Sequence, residues 1–269
     1  MSPASRPRAR TYDRLKSRAA LRAQAEALWG VVEGLDEARL ELPTRLGSWR
    51  VRELLAHLAT AFDALPRFLA APDDGAQAAG TLADWAAGTR TSAAAIADAA
   101  AEGAAKADDV RAALRTAIDG ALVELDPERH GPETRVVHRR GAMLFDDYLV
   151  TRLVETVVHA DDLADALGID AFPHDRHALA SACRLLADAL ATRAPGGAVE
   201  LRIPPFAVVQ CVEGPRHTRG TPPNVVETAP LPWIRLATGR TTWAQALDVA
   251  ELTASGERSD LSSLLPVMG

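Results

Sequence analysis

Long stretches with apolar residues at helical spacing constrain this chain most. Apolar residues that recur every three to four positions form one face of an α-helix. Residues 12–35 and 50–70 both show this spacing, with so few aromatic residues (4%) that close-packed small side chains are favoured over a β-sandwich. The predicted core faces of these two helices are Leu15, Ala19, Ala23, Ala27, Val31 and Leu35, widened by Leu28 and Val32, and then Leu54, Leu58, Ala61 and Leu65.

Further helices are predicted from residue 82 onward, over 108–125, over 143–167 and over 176–193. Gly103 is expected to interrupt the helical run that follows residue 93, because glycine weakens a helix interior. Residues 130–141 are polar and rich in Arg and His, so we expect a loop there. Gly168 is a good stop for the helix over 143–167.

The composition changes after Arg193, where Ala194-Pro195-Gly196-Gly197 predicts a turn. Strand-like segments follow at 199–203, 207–212, 225–228 and 251–255, with short helical segments at 233–237 and 242–249. At 269 residues the chain suggests roughly two domains. We therefore predict the α+β class: a disordered basic tail (1–11), a helical bundle (12–194) and a smaller α+β domain (195–269).

Charge and cysteine content exclude some classes of partner. The net charge of −6 argues against binding to nucleic acid or a membrane surface. Cys183 and Cys211, the two cysteines, lie among apolar residues and are expected to be inert buried thiols in a reducing cytoplasm. We expect a monomer or homodimer that acts on small molecules.

Glu155 and His159 lie four positions apart in the predicted helix over 143–167, which makes them neighbours on one helical face. Such a pair can hold a divalent metal ion, and it can equally form an ordinary surface hydrogen bond. A strip of ionisable residues beside the apolar face is typical of a helix that lines a polar pocket, and also of a plain solvent face. The strip consists of Tyr148, Arg152, Glu155, His159 and Asp162.

His57 lies three residues after Leu54 and four before Ala61, so it points toward the core side of its helix. Two interpretations stay open. A core histidine can be satisfied by a backbone carbonyl or a water, or it can be a metal ligand, since imidazole is the commonest protein ligand of zinc-like ions.

Two polar clusters are candidate substrate-binding regions. The first could form a cationic rim and contains Arg135, His138, Arg139 and Arg140. The second is the loop 214–224, whose arginines can grip a carboxylate with two parallel hydrogen bonds; its candidates are Arg216, His217, Arg219 and Asn224. A solvated loop and a solvated connector are the alternative interpretations.

Two segments together resemble the mycothiol-dependent maleylpyruvate isomerase family, whose helical half is a DinB-like four-helix bundle. They are WRVRELLAHL at residues 49–58 and RLVETVVHADDL at residues 152–163. Arg50 stands where that family usually has a Ser or Thr helix cap. The segments RIPPF (202–206) and GPRHTRGTPPNVVET (214–228) resemble a bacterial sterol-carrier-protein-like domain.

The resemblance implies a metal site formed by His57, Glu155 and His159. Asp162 is a candidate neighbour, because ligating imidazoles usually donate their second N–H to a carboxylate or carbonyl; it could also simply face the solvent. Arg152 is the other candidate neighbour. The resemblance further implies a divalent metal, zinc first, and mycothiol as the thiol co-substrate of an isomerase or S-transferase. The substrate would be small, electrophilic and carboxylate-bearing. The alternatives are a sterol-carrier-like protein that binds an apolar ligand in a continuous tunnel, and a protein that keeps the metal site without turnover.

Overall fold

The computed structural model describes residues 10–73, 75–138, 140–214 and 222–268. The chain divides into two compact units. The helical unit contains Tyr12–Gly80 and Thr91–Leu179, and the C-terminal unit contains Thr81–Arg90 and the chain from Ala180 onward. Most of the predicted basic tail lies outside the described residues, as do Arg139, Arg216, His217 and Arg219.

The fold is an α+β mixture, as the sequence predicts. The helices are Arg14–Val32 (α1), Glu37–Leu40 (α2), Val51–Leu69 (α3), Leu82–Ala87 (α4), Ala93–Lys106 (α5), Val110–Glu124 (α6), Phe145–Leu167 (α7), Arg176–Arg193 (α8), Pro230–Ala237 (α9) and Trp243–Asp248 (α10). The strands are Arg135–His138 (β1), Gly141–Leu144 (β2), Val199–Ile203 (β3), Ala207–Cys211 (β4), Val225–Thr228 (β5) and Leu252–Ser255 (β6). Short 3₁₀ turns lie at Arg90–Ser92 and Ser262–Leu264.

Helix α3 is the centre of the helical unit. It packs against α5, α6 and α7, while α1 packs against α6 and α7. The apolar face predicted for α3 is confirmed, because all four of its residues are buried: Leu54, Leu58, Ala61 and Leu65.

Helix α1 is present, but its predicted face is confirmed only toward its C-terminal end. The buried members of that prediction are Leu28, Val32 and, just beyond the helix, Leu35. The first members are wrong, since Leu15 is 59% exposed and Ala19 and Ala23 are exposed as well. A helical residue advances about 100°, so a strict four-residue repeat drifts about 40° at each step and leaves the core face. The buried face of the helix is shared by small, polar and apolar side chains: Ser17, Arg18, Ala20, Leu21, Gln24, Ala25, Leu28 and Val32.

The predicted helix interruption at Gly103 is absent, since α5 continues through this residue to Lys106. A Cβ atom on Gly103 would lie 3.5 Å from the Cβ of Ala56. This distance is an ordinary van der Waals contact, so the structure does not require a glycine here. The packing of α5 against α3 outweighs the weak helix propensity of a single glycine.

The loop predicted over 130–141 contains an antiparallel hairpin of β1 and β2, with His138 opposite Gly141. Because Met143 belongs to β2, helix α7 begins two residues later than predicted, at Phe145. Gly141 has φ +115°, and a Cβ there would lie 2.4 Å from the backbone oxygen of Gln77. Only glycine fits this turn, and the hairpin is too short to give a clear alternating pattern.

Helix α7 is buried on nearly all sides, which resolves the alternative left open for its ionisable strip. The side chains of Glu155, His159 and Asp162 are 13%, 10% and 0% exposed. The strip therefore faces the interior of the helical unit and not the solvent.

The C-terminal unit contains a four-stranded sheet in the order β4-β3-β5-β6. Strands β3 and β5 are parallel, and the other pairs are antiparallel. An open groove of about 530 Å³ lies on this unit, and its lining is mixed: Ala194, Pro195, Val212, Glu213, Asp260, Ser263 and Leu264.

Within the part of the chain that the structure describes, no helix is both long and apolar enough to cross a bilayer.

Both cysteines should resist thiol reagents in the native protein. Cys183 and Cys211 are free and buried. Burial raises the pKa of the Cys183 thiol to about 12 and that of Cys211 to about 11, and the thiolate is the reactive form. A disulfide-exchange titration near neutral pH should find no rapidly reacting thiol in the folded chain and both thiols in denaturant. A fast-reacting thiol in the folded chain, removed by Cys183→Ser or Cys211→Ser, would contradict this prediction.

Candidate metal centre

His57, Glu155 and His159 converge in the helical unit. Each offers one potential ligand atom, and the three atoms lie within 4.8 Å of one another. Nε2 of His57 is 2.9 Å and Nε2 of His159 is 3.6 Å from the same oxygen, Oε1 of Glu155. The two imidazole rings meet edge-on, with their centroids 4.7 Å apart. The structure thus brings together the three residues that the sequence predicts as ligands.

Two packed helices position these side chains. His57 lies on the buried face of α3, and Glu155 and His159 lie one turn apart on α7. Arg50, at the start of α3, has no capping hydroxyl. Glu53 supplies the other half of a capping box, because its Oε2 accepts a hydrogen bond from the backbone N–H of Arg50 at 2.8 Å.

His159 is oriented by Asp162, the carboxylate one turn further along α7. Nδ1 of His159 lies 2.9 Å from Oδ2 of Asp162, which is fully buried. A carboxylate accepts hydrogen bonds, so Nδ1–H donates and Nε2 is the nitrogen left to face Glu155. This contact is typical of histidines that bind metals, whose second ring nitrogen donates to a carboxylate or carbonyl.

The electrostatics of the centre favour a cation. Burial lowers the pKa of His57, which therefore stays neutral. Burial alone would raise the pKa of Glu155, but hydrogen bonds with His159 and His57 and the charge of Arg152 outweigh it and hold that pKa well below its usual range. Burial alone would lower the pKa of His159, yet its contacts with Asp162 and Glu155 raise it. A cation would displace that proton when it binds.

The donor set and its spacing fit a divalent metal ion. Two imidazoles and one carboxylate match the protein ligands of catalytic zinc sites, which keep a further position open. Ligands on a tetrahedral ion at about 2.1 Å are roughly 3.4 Å apart. The separations of 2.9 and 3.6 Å from Glu155 bracket this value.

Comparison with known proteins agrees with this geometry. The family model described as the mycothiol maleylpyruvate isomerase N-terminal domain matches residues 21–164, more than half of the chain. The chain belongs to this family. A second model, described as a bacterial SCP ortholog, matches residues 175–267.

Solved structures show the same fold. The crystal structure of a mycothiol-dependent maleylpyruvate isomerase superposes with a TM-score of 0.56 at 18% identity, covering 93% of this chain and 95% of that one. A histidine-to-alanine mutant of that isomerase gives a TM-score of 0.55 with the same identity and coverage. No curated protein matches the sequence.

Arg45 is a neighbour of the centre that the sequence does not reveal. Its Nε lies 2.7 Å from Oδ1 of Asp162, and its Nη2 lies 2.5 Å from Oδ2 of Asp161. These partners are 117 and 116 positions away in the chain. No spacing rule connects a loop arginine with a distant helix, so only the fold identifies this contact.

Arg152 brings a positive charge beside the centre. Its Nη2 lies 3.8 Å from Oε2 of Glu155, and its guanidinium lies over the ring of Tyr148, 4.8 Å from the centroid. The Tyr148 ring also packs against Phe68 and His138, at 5.8 and 6.0 Å between centroids. The result is an aromatic and cationic wall next to the candidate ligands.

The remaining predicted residues have diverse surroundings. Arg135 pairs with Asp73 at 3.1 Å, and Nη2 of Arg140 lies 3.3 Å from Oγ of Ser92. In the C-terminal unit, Asn224 is buried. Its side chain donates to the carbonyl of Ala198 and accepts from the N–H of Arg258. This amide is thus engaged by backbone, and its contact with a substrate stays a prediction.

We expect the untagged protein, purified without chelator, to carry one divalent metal ion per chain. His57→Ala and His159→Ala should each abolish it, because the two protein donors that remain cannot hold the ion tightly. Elemental analysis measures this directly. His130→Ala is the matched control, since His130 makes a similar contact with Glu124 at 2.7 Å and is no part of the centre. Substoichiometric metal in the wild type, or equal loss in the control, would contradict the assignment.

Proposed function

We propose that this chain is a metal-dependent enzyme that uses mycothiol as co-substrate and acts on a small electrophilic molecule bearing a carboxylate. The observation that carries the proposal is the convergence of two imidazoles and an ionised carboxylate inside the domain that assigns the chain to its family. Zinc is the first candidate for the ion, since two histidines and one glutamate form a known catalytic zinc set.

The residues of the centre have separate tasks in this proposal. His57, Glu155 and His159 would hold the ion, and Asp162 keeps Nε2 of His159 available by accepting from Nδ1. A divalent ion lowers the pKa of a thiol that reaches its open position, and so supplies a nucleophile at neutral pH.

The thiol itself must come from outside the chain. Both cysteines are buried, and their raised pKa values leave almost no thiolate near neutral pH. Family membership supports mycothiol as the source.

Arg152 is our candidate for recognition of the substrate carboxylate. It carries a fixed positive charge beside the donor atoms, and its planar guanidinium is stacked on Tyr148. A stacked arginine loses little further freedom when it forms two parallel hydrogen bonds with a carboxylate. Arg216, His217 and Arg219 are proposed as additional anion-binding residues on the basis of their density in one loop.

Two reaction types use the same groups. In an isomerisation the thiol sulfur adds to an activated double bond, the carbon–carbon bond rotates, and the sulfur–carbon bond breaks to return the thiol. In an S-transfer the sulfur–carbon bond persists in the product. Recovery or consumption of the thiol distinguishes the two.

The metal-loaded chain should turn over a cis-configured unsaturated acid such as maleylpyruvate only when mycothiol is present. His159→Ala should reduce turnover to the background rate, whereas His130→Ala should retain it. Product analysis by chromatography, with a parallel thiol count, gives the reaction type. A loaded chain that co-purifies with lipid and shows no thiol-dependent turnover of an electrophile panel would favour the apolar-ligand carrier instead.

Substitution Arg152→Ala should raise the KM for the acid substrate about 10- to 100-fold, because a hydrogen bond to a charged group contributes about 1.5–3 kcal/mol. The value of kcat should change much less if the contact is equally strong in the ground and transition states. Arg152→Lys should restore part of the loss. Steady-state kinetics on variants with wild-type metal content measure this. An unchanged KM in Arg152→Ala would show that Arg152 does not recognise the substrate. The double variant Arg216→Ala/Arg219→Ala tests the loop 214–224 through the same comparison of KM values.

A further inference from the structure

We propose that Arg45 is a positioning residue of the metal centre, which fixes Asp162 so that Asp162 can orient His159. This inference rests on the proposed function, because it assumes that His159 binds a metal. Among the residues that the structure describes, Arg45 makes no contact with the three candidate ligands. It acts on them through the carboxylate of Asp162.

The two oxygens of Asp162 are used in different directions. Oδ1 accepts from Nε of Arg45 at 2.7 Å, and Oδ2 accepts from Nδ1 of His159 at 2.9 Å. Because both oxygens are held, the carboxylate plane cannot rotate without breaking one of these contacts. The direction of the Nδ1–H bond, and with it the direction of Nε2, is therefore tied to Arg45.

Arg45 also stabilises an unusual pair of adjacent buried carboxylates. Asp161 and Asp162 are 4% and 0% exposed, and the guanidinium contacts both from one side chain that is 19% exposed. Buried charges are costly unless they are paired and hydrogen-bonded. The guanidinium fork suits this task, since its N–H groups form a rigid plane, whereas the ammonium of lysine is a point charge.

The loop that carries Arg45 is itself held firmly. Thr44 contacts the carbonyl of Trp49 through both its backbone N–H and its hydroxyl, at 2.9 and 2.8 Å. Pro43 and Arg50 form an isolated bridge across the same loop, and Gly47 permits the turn with φ +66°. The Trp49 ring packs against His57, with centroids 5.3 Å apart. One tight loop therefore restrains one candidate ligand by packing and another through Asp162.

The test is a titration of the metal-free full-length chain with Co²⁺, followed by its visible spectrum, and competition with Zn²⁺. Partners that orient a ligating histidine are worth about 10- to 100-fold in metal affinity. We expect Asp162→Asn to lose affinity in this range and Arg45→Ala to lose about tenfold, with an altered Co²⁺ band in both. Arg115→Ala is the matched control, because Arg115 also pairs with two carboxylates, Glu26 and Asp119, away from the centre.

The double variant Arg45→Ala/Asp161→Asn separates positioning from charge neutralisation. Arg45→Ala alone should lower the melting temperature of the metal-free chain, because two adjacent buried carboxylates lose their shared guanidinium. Asp161→Asn removes one of these carboxylates, so the double variant should regain part of that loss. Affinity and spectrum should stay altered, since the contact between Nε of Arg45 and Oδ1 of Asp162 is still missing. If Arg45→Ala does not fold, Arg45→Lys takes its place in the titration. This variant keeps the positive charge and should still show weaker metal binding and an altered Co²⁺ band.

Each contrary result has a distinct meaning. Wild-type affinity and spectrum in Arg45→Ala, in the double variant or in Arg45→Lys would overturn the positioning role and leave the metal centre intact. An equal loss in Arg115→Ala would overturn it as well. A wild-type chain that takes up neither Co²⁺ nor Zn²⁺ would overturn the proposed function, and the positioning role with it.

Discussion

The packing of α3 against α7 places an ionised carboxylate between two imidazoles, and the other features of the centre depend on this contact. Glu155 is anionic in a buried setting because His57 and His159 both contact its Oε1. Burial would otherwise favour the neutral acid. Helix α3 also packs against α5 and α6, which hold it within the helical unit. A change that separates α3 from α7 would therefore remove the donor set as a unit, without touching any ligand.

A chain of charges extends outward from this contact. His159 links Glu155 to Asp162, and Asp162 links His159 to Arg45. On the other side, Arg152 contributes positive charge and stacks on Tyr148. The alternation of negative and positive groups allows this many ionisable side chains to be buried together.

Helical spacing predicts that Glu155 and His159 are neighbours and that His57 faces the core, and the structure confirms both placements. Spacing alone leaves an ordinary hydrogen bond as an alternative, and only the resemblance to the family joins the three residues as a ligand set. The first part of the α1 face was wrong because a four-residue repeat drifts around the helix. The hairpin of β1 and β2 was missed because its strands are four residues long. Arg45 has no local signal, since its role is created by a loop meeting a helix more than 100 positions away.

The most direct test of the central claim is X-ray absorption at the edge of the bound metal, in solution and without added substrate. Our account predicts a first shell with two imidazole nitrogens and one carboxylate oxygen at about 2.0–2.2 Å, completed by a light atom at the open position. His57→Ala should give no stoichiometric metal signal in the same measurement. A first shell that contains sulfur from Cys183 or Cys211, or one without imidazole, would contradict the account.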